Sequence, residues 1–458
     1  MSPPIGCHKT FDSCFCSLNF QTRMWSFWLV TFLSELQFTS SSSSSFFSRS
    51  PFLTVWNAPT ASCLSQHGVD LDLGMFSIVF NQNQTFIGEN ITIFYGDKLG
   101  FYPRYSDRGD PVNGGVPQNC SLDEHLRASR ANISTFIPDG AFQGLAVVDW
   151  ESWRPVWERN WDSKQVYWEG SEALVRARHP DWSPARVNAA ARLEFTEAGR
   201  KFMEETVRLG KKLRPDGLWG YYGFPNCYNS YKSPKYTGEC PAVEMQRNDE
   251  LSWLWNASSA LYPDIYLSTE MRGLEGEVLL YTYHRVQEAL RAAAGVPPAG
   301  LPVFPYARIV YTYTLEFLSL EHLVYTVGES AALGAAGVVL WGDNNLSKSK
   351  ATCEAVKSYI DEVLGSYLVN VTAAAVLCSQ TVCSSHGRCR RRDSTSRVYL
   401  HLSPAAWKVV SKKEPGGRRN YTVFGEMSAH GVQEMNLKFQ CMCFPGWSGE
   451  NCSKAIPK

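Results

Sequence analysis

Short β-rich runs alternate with long helical stretches across residues 52–375, and this alternation limits the architecture more than any other feature of the sequence. The β-rich runs fall at 52–56, 91–95, 145–150, 218–224, 265–267, 303–311 and 338–341. Between them the apolar spacing predicts helices, most clearly at 184–213, 249–261, 279–294, 318–333 and 347–364. Strands that return through helices must run parallel, so the expected class is α/β with a parallel sheet. No Gly-rich phosphate loop follows the first strand, which favours a closed β/α barrel over an open nucleotide-binding sheet. In such barrels the chemistry sits where strands end and βα loops begin.

Composition narrows the class of partner. The 458 residues carry 44 Lys+Arg against 44 Asp+Glu, and a neutral chain lacks the basic excess of a general nucleic-acid binder. Aromatic residues make up 13%, enough to line a sugar-binding cleft as well as to fill a core. Glycosylation sequons occur at Asn83, Asn90, Asn119, Asn132, Asn256, Asn345, Asn370, Asn420 and Asn451, which places the chain on the secretory route, to a lysosome or outside the cell. The 14 cysteines then read as a disulfide framework. With no C-x-x-C and no H-E-x-x-H, neither a metal nor another cofactor is expected.

Residues 1–50 read as a leader. The apolar run at 25–33 has signal-peptide length, follows Arg23 and precedes a serine tract at 40–45. It is too short to span a bilayer, and no transmembrane segment is expected elsewhere. The expected organisation is a leader at 1–50, an α/β domain at 51–375 and a cysteine-rich module at 376–458.

The strongest strand reads Leu145-Ala146-Val147-Val148 and runs directly into Asp149, Trp150 and Glu151. Strand side chains alternate, so Asp149 and Glu151 project to one side about 6–7 Å apart. Two acids held together cannot both ionise freely, so one keeps its proton. A protonated acid beside an ionised partner is what glycoside hydrolysis requires. The same spacing would also arise if both acids only capped the following helix.

The segment F-Q-G-L-A-V-V-D-W-E-S-W-R-P-V-W-E-R-N-W, from Phe142, resembles the active-site segment of the vertebrate hyaluronidases. The likeness extends to V-W-N-A-P-T at Val55, G-L-W-G-Y-Y-G-F-P-N-C-Y-N at Gly217, N-D-E-L-S-W-L-W at Asn248 and G-E-S-A-A-L-G-A-A-G-V-V-L-W-G-D at Gly328. Roughly residues 52–452 are covered. The resemblance implies a distorted β/α (TIM-like) barrel that cleaves β-1,4 bonds of hyaluronan, and chondroitin more slowly, as a monomer. It implies Glu151 as general acid/base and Asp149 as the group that orients the substrate's own acetamido nucleophile. By the same resemblance Tyr95, Tyr222, Tyr266 and Trp341 line the substrate cleft, while Arg154, Asn226 and Arg285 are candidates for substrate contact or for pairing with carboxylates.

The chain departs from the common pattern of acid-active members at Asn226, Asp264 and Thr312. Asn226 with Asp264 reads as a relocated carboxylate, which would move the pH optimum. The tail C-M-C-F-P-G-W-S-G-E-N-C resembles an EGF-like module, with an unusual 51-residue gap before it. That likeness implies the pairs Cys378–Cys389, Cys383–Cys441 and Cys443–Cys452. The hyaluronidase likeness adds Cys227–Cys240 and Cys63–Cys353, and leaves Cys120 over. Two rival functions fit the same strand: a matrix-binding protein with weak chemistry, and a glycosidase of chitin-type polymers.

Overall fold

The computed structural model describes residues 46–231, 235–413 and 419–457. Most of the leader reading, including Cys7, Cys14 and Cys16, lies outside the described residues. The described residues begin at Phe46, ahead of the expected boundary at 51. Phe47, in the short helix Phe46–Arg49, is buried with Leu53 and Val55, and the Ser48 carbonyl accepts a hydrogen bond from Arg388.

Seven parallel strands organise the fold: β1 (Leu53–Asn57), β2 (Ile78–Phe80), β3 (Ile91–Tyr95), β4 (Leu145–Asp149), β5 (Leu218–Tyr221), β6 (Tyr306–Ala307) and β7 (Gly337–Trp341). They form two ladders, β2-β1-β7-β6 and β3-β4-β5. Isolated parallel bridges from Tyr222 to Tyr262, Leu261 to Val303 and Asp264 to Tyr306 connect one ladder to the other. At the opposite seam no backbone ladder joins β2 to β3 among the described residues. There the Asn81 side chain substitutes for a strand, donating to the Ile91 carbonyl at 2.7 Å and accepting from the Ile91 amide at 3.0 Å.

Several expected elements are shortened. The 265–267 run is not a strand, and 303–311 reduces to Tyr306–Ala307 with bridges at Val303 and Val310. Pro263 and Pro302 stand just ahead of the two runs and Pro305 lies inside the second, and a proline has no N–H to give a ladder. The expected helix at 249–261 is two helices, Ala242–Glu250 and Ser252–Ala257, after which the chain turns so that Leu261 can bond the Pro302 carbonyl.

Both faces of the strands are buried, which explains their uninterrupted apolar runs. Leu53, Val55, Ile91, Ile93, Leu145, Val147, Tyr262, Phe304, Tyr306 and Val339 share one inner core. The alternate residues pack outward against helices, Phe94, Ala146 and Val148 in one cluster and Trp56, Val338 and Leu340 in another. Gly220 is required for a close approach here: a Cβ would stand 2.3 Å from the Ala260 carbonyl oxygen.

The principal helices are α1 (Leu122–Phe136), α2 (Val166–Arg178), α3 (Pro184–Leu213), α4 (Glu275–Ala294) and α5 (Lys350–Val382). Ser121 and Ser183 cap α1 and α3 by accepting from the amides of Glu124 and Arg186. By length and composition α5 could cross a membrane, at mean hydropathy 1.4, yet 56% of its most apolar window is buried inside the protein. Its apolar residues Val356, Ile360, Leu364, Leu368 and Val371 belong to the core, which accounts for the hydropathy.

Helix α5 runs without a break through position 375 into the cysteine-rich segment. There β8 (Gly387–Arg391) pairs antiparallel with β11 (Phe439–Cys443), and β9 (Trp407–Lys413) pairs with β10 (Arg419–Gly425). Arg391 forms a buried ion pair with Glu329, one hydrogen bond measuring 2.8 Å, and so ties the segment to the core. The disulfides among the described residues are Cys63–Cys353, Cys227–Cys240, Cys378–Cys389, Cys383–Cys441 and Cys443–Cys452. Cys120 is unpaired and half-buried, and burial pushes its thiol up to about 11. Of the sequon asparagines, Asn83, Asn119, Asn256, Asn345 and Asn451 are exposed, and Asn90, Asn132 and Asn370 are half-buried.

Candidate active site

The strand ends converge on one cluster of polar and aromatic side chains. Tyr95 ends β3, Asp149 ends β4, Tyr222 follows β5 and Trp341 ends β7. In register, Tyr95 lies beside Asp149 and Asn57 beside Trp341. Each residue continues the inward-facing alternation of its strand, so the packing that buries Ile93, Val147 and Val339 also aims Tyr95, Asp149 and Trp341 at a common centre.

The two carboxylates occupy unlike surroundings. Asp149 is half-buried, whereas Glu151, just past the strand, leaves 58% of its side chain exposed. Trp150 between them faces the other way and stacks on Tyr102 at 4.6 Å. Burial, reinforced by the charge of Glu151 and opposed by Arg154, pushes the Asp149 carboxyl up to about 8. Burial therefore favours the protonated form of Asp149.

A stability signature follows. The folded-state pKa of Asp149 lies above its unfolded value of about 4, so the stabilisation from its proton is fully present below that pH and is lost as pH rises through about 8. The amide of an Asp149→Asn variant cannot ionise. The Tm of this variant relative to the parent is expected to rise steadily from pH 4 to pH 8, measured by calorimetry; a constant difference would contradict the assigned proton.

Tyr95 accepts a hydrogen bond from Trp341 Nε1 at 3.0 Å. Trp341 stacks on Tyr266 with ring centroids 6.0 Å apart, and Tyr266 lies 6.0 Å from Tyr222. Burial first, then the nearby carboxylates, hold the Tyr95 and Tyr222 hydroxyls well above the usual phenol range, so they stay protonated donors. The structure thus brings Tyr95, Asp149, Glu151, Tyr222, Tyr266 and Trp341 together.

Arg154 turns toward Glu151, bonding its carbonyl at 2.9 Å and approaching its carboxylate at 3.5 Å. Asn226 lies to one side, donating to Asp264 at 3.4 Å, and Asp264 in turn pairs with Arg285 at 2.6 Å. The Asp264 charge is one of the influences raising the Tyr222 hydroxyl, so this pair is electrically linked to the cluster. Thr312 stands outside it, its amide bonded to the Leu267 carbonyl.

Three neighbours escaped the sequence reading. Lys164 donates to the carbonyls of Glu151 and Ser152, the latter at 3.2 Å. Burial and Arg154, against the Glu151 charge, lower its ammonium to about 8. Arg308 lies 4.8 Å from the Trp341 ring centroid and is fixed by Asp343 at 2.9 Å. Phe86 stacks on Trp341 at 6.3 Å and meets Tyr95 edge-on. Lys164 comes from the short helix Asp162–Gln165, Arg308 follows the strand Tyr306–Ala307, and Phe86 lies in the loop between β2 and β3.

The chain is similar in sequence and fold to known proteins. The family described as hyaluronidase, glycoside hydrolase family 56, matches residues 41–456. Hyaluronidase-1 of Sus scrofa and of Homo sapiens are each 48% identical over 405 residues, covering 88% of this chain and 92% of theirs. A hyaluronidase of Crotalus adamanteus is 45% identical over 408 residues, covering 88% of this chain and 90% of its own. The crystal structure of bee venom hyaluronidase in complex with a hyaluronic acid tetramer superposes with a TM-score of 0.64 at 35% identity, over 69% of this chain and 98% of that one.

Proposed function

Since the chain belongs to the hyaluronidase family of glycoside hydrolases, we propose that it hydrolyses the β-1,4 linkages of hyaluronan, and of chondroitin more slowly, inside a lysosome or outside the cell. On this reading the strand series is a distorted β/α barrel, and residues 376–458 form an EGF-like module with a long insertion. The protein acts as a monomer and needs no cofactor.

Carrying this proposal is the placement of a half-buried, proton-holding Asp149 beside an exposed Glu151 within a ring of aromatic side chains. Paired carboxyls exchange a proton readily. On substrate binding the proton passes from Asp149 to Glu151. Glu151 then donates it to the departing glycosidic oxygen as that C–O bond breaks. The substrate's own acetamido oxygen forms the new bond to the anomeric carbon, an accepted exception to two-carboxylate hydrolysis. Asp149, now ionised, faces the positive charge that develops on the acetamido group.

Glu151 afterwards takes a proton from water, and the resulting attack at the anomeric carbon expels the acetamido oxygen. Two inversions give net retention. Arg154 and Lys164 hold the peptide that bears Glu151, while Tyr222, Tyr266 and Trp341 supply the walls of the sugar site. Product sizing from hyaluronan, chondroitin and chitin oligosaccharides over pH 3.5–7.5 (roughly the range in which carboxylate and histidine groups titrate) tests the assignment. Hyaluronan is expected to shorten fastest and chitin not at all. An unchanged hyaluronan size distribution at every pH would instead favour the matrix-binding alternative.

A further inference from the structure

We propose that the outer face of helices α1 and α3 carries a second binding site, for an anionic polysaccharide chain, separate from the cleft. A cavity of about 400 Å³ lies between the two helices, lined by Arg127 and Arg130 from α1, by Glu205, Arg208 and Lys212 from α3, and by a leucine from each. Spacings of three, four and seven residues bring these side chains onto facing helix surfaces. Beneath them His125 and Thr206 are hydrogen bonded at 2.8 Å, which fixes one helix against the other. None of the lining residues belongs to the strand-end cluster.

Four cations face one carboxylate in this groove, in a chain whose net charge is zero. Arg208 is engaged by Glu204 at 2.5 Å. Arg127, Arg130 and Lys212 have no carboxylate within 4.0 Å among the described residues. Along the neighbouring surface Arg176, Arg178, Arg192 and Arg200 each pair with a glutamate. Unpaired cations concentrated in a concave site attract anions, and the leucine floor suits the C–H faces of sugars. No aromatic ring lines the groove, so it offers bases nothing to stack on. A polymer held at both the groove and the cleft would gain effective concentration at the cleft. Only the identity of the polymer rests on the proposed function.

The test uses the full chain carrying Glu151→Gln, so that the polymer is not consumed, with and without Arg127→Gln, Arg130→Gln and Lys212→Gln. Glutamine keeps the helix propensity of these exposed positions. Affinity for long hyaluronan and for chondroitin sulfate is measured across a salt series. Losing three cations is expected to weaken binding about tenfold or more and to flatten the slope of log K against log salt by about two to three. In the Glu151-containing enzyme the same three changes leave hydrolysis of short hyaluronan oligosaccharides unaltered. A single Lys212→Glu reversal moves affinity in the same direction. A larger effect on chondroitin sulfate assigns the groove to sulfate, and an equal one to carboxylate. Unchanged affinity and slope for both polymers would overturn the proposal, whereas cutting by the Glu151→Gln protein at the parental rate would count against the catalytic reading alone.

Discussion

Glu151→Gln is expected to lower turnover of hyaluronan about 10²–10⁴-fold while leaving the fold and polymer affinity intact. The carboxylate is mostly exposed and its Arg154 partner is also anchored on the backbone carbonyl at 2.9 Å, so the isosteric amide costs little packing. What it removes is the ability to deliver a proton to the leaving oxygen and to recover one from water. Initial rates from polymer size, with thermal melting as the control for folding, make the comparison. Full depolymerising activity in a well-folded variant would show that another group carries the proton.

Removing the Cys63–Cys353 bridge is expected to cost about 5–6 kcal/mol on the chain-entropy account. The bridge spans 290 residues and ties the short helix after β1 to the start of α5. Both cysteines are fully buried, and β1 and β7 pair along five positions nearby. Without the link, the unfolded chain regains the freedom of a 290-residue loop. For a protein of this size the loss corresponds to a Tm lowered by about 6–7 °C. Calorimetry of the Cys63→Ser/Cys353→Ser double variant measures it, with Cys227→Ala/Cys240→Ala as the short-loop comparison at a separation of 13. An equal or larger loss from the short loop would refute loop closure as the source.

The site was legible where a single segment carried it. Asp149 and Glu151 stand out because an apolar strand ends in two acids two residues apart, and strand geometry alone puts them on one side. Helix α3 was legible to the residue because Ser183 and Pro184 mark its start and its amphipathic face is long. The strand expected at 265–267 did not form, since prolines and tertiary bridging outweigh local β preference there. Lys164, Arg308 and Phe86 were invisible for a different reason: each is brought to the cluster by tertiary packing and not by any local pattern.

Periodicity, turn residues and cysteine content thus determined on their own that this chain alternates strand with helix, ends its strongest strand in paired acids and carries cysteines able to pair. Which of the two acids keeps the proton was decided only in three dimensions. Burial of Asp149 among residues from four strands, and exposure of Glu151 one step past the sheet, depend on contacts between positions hundreds of residues apart. The same holds for the basic groove, because α1 and α3 contribute cations that are about 80 residues apart in sequence and adjacent only when the helices pack.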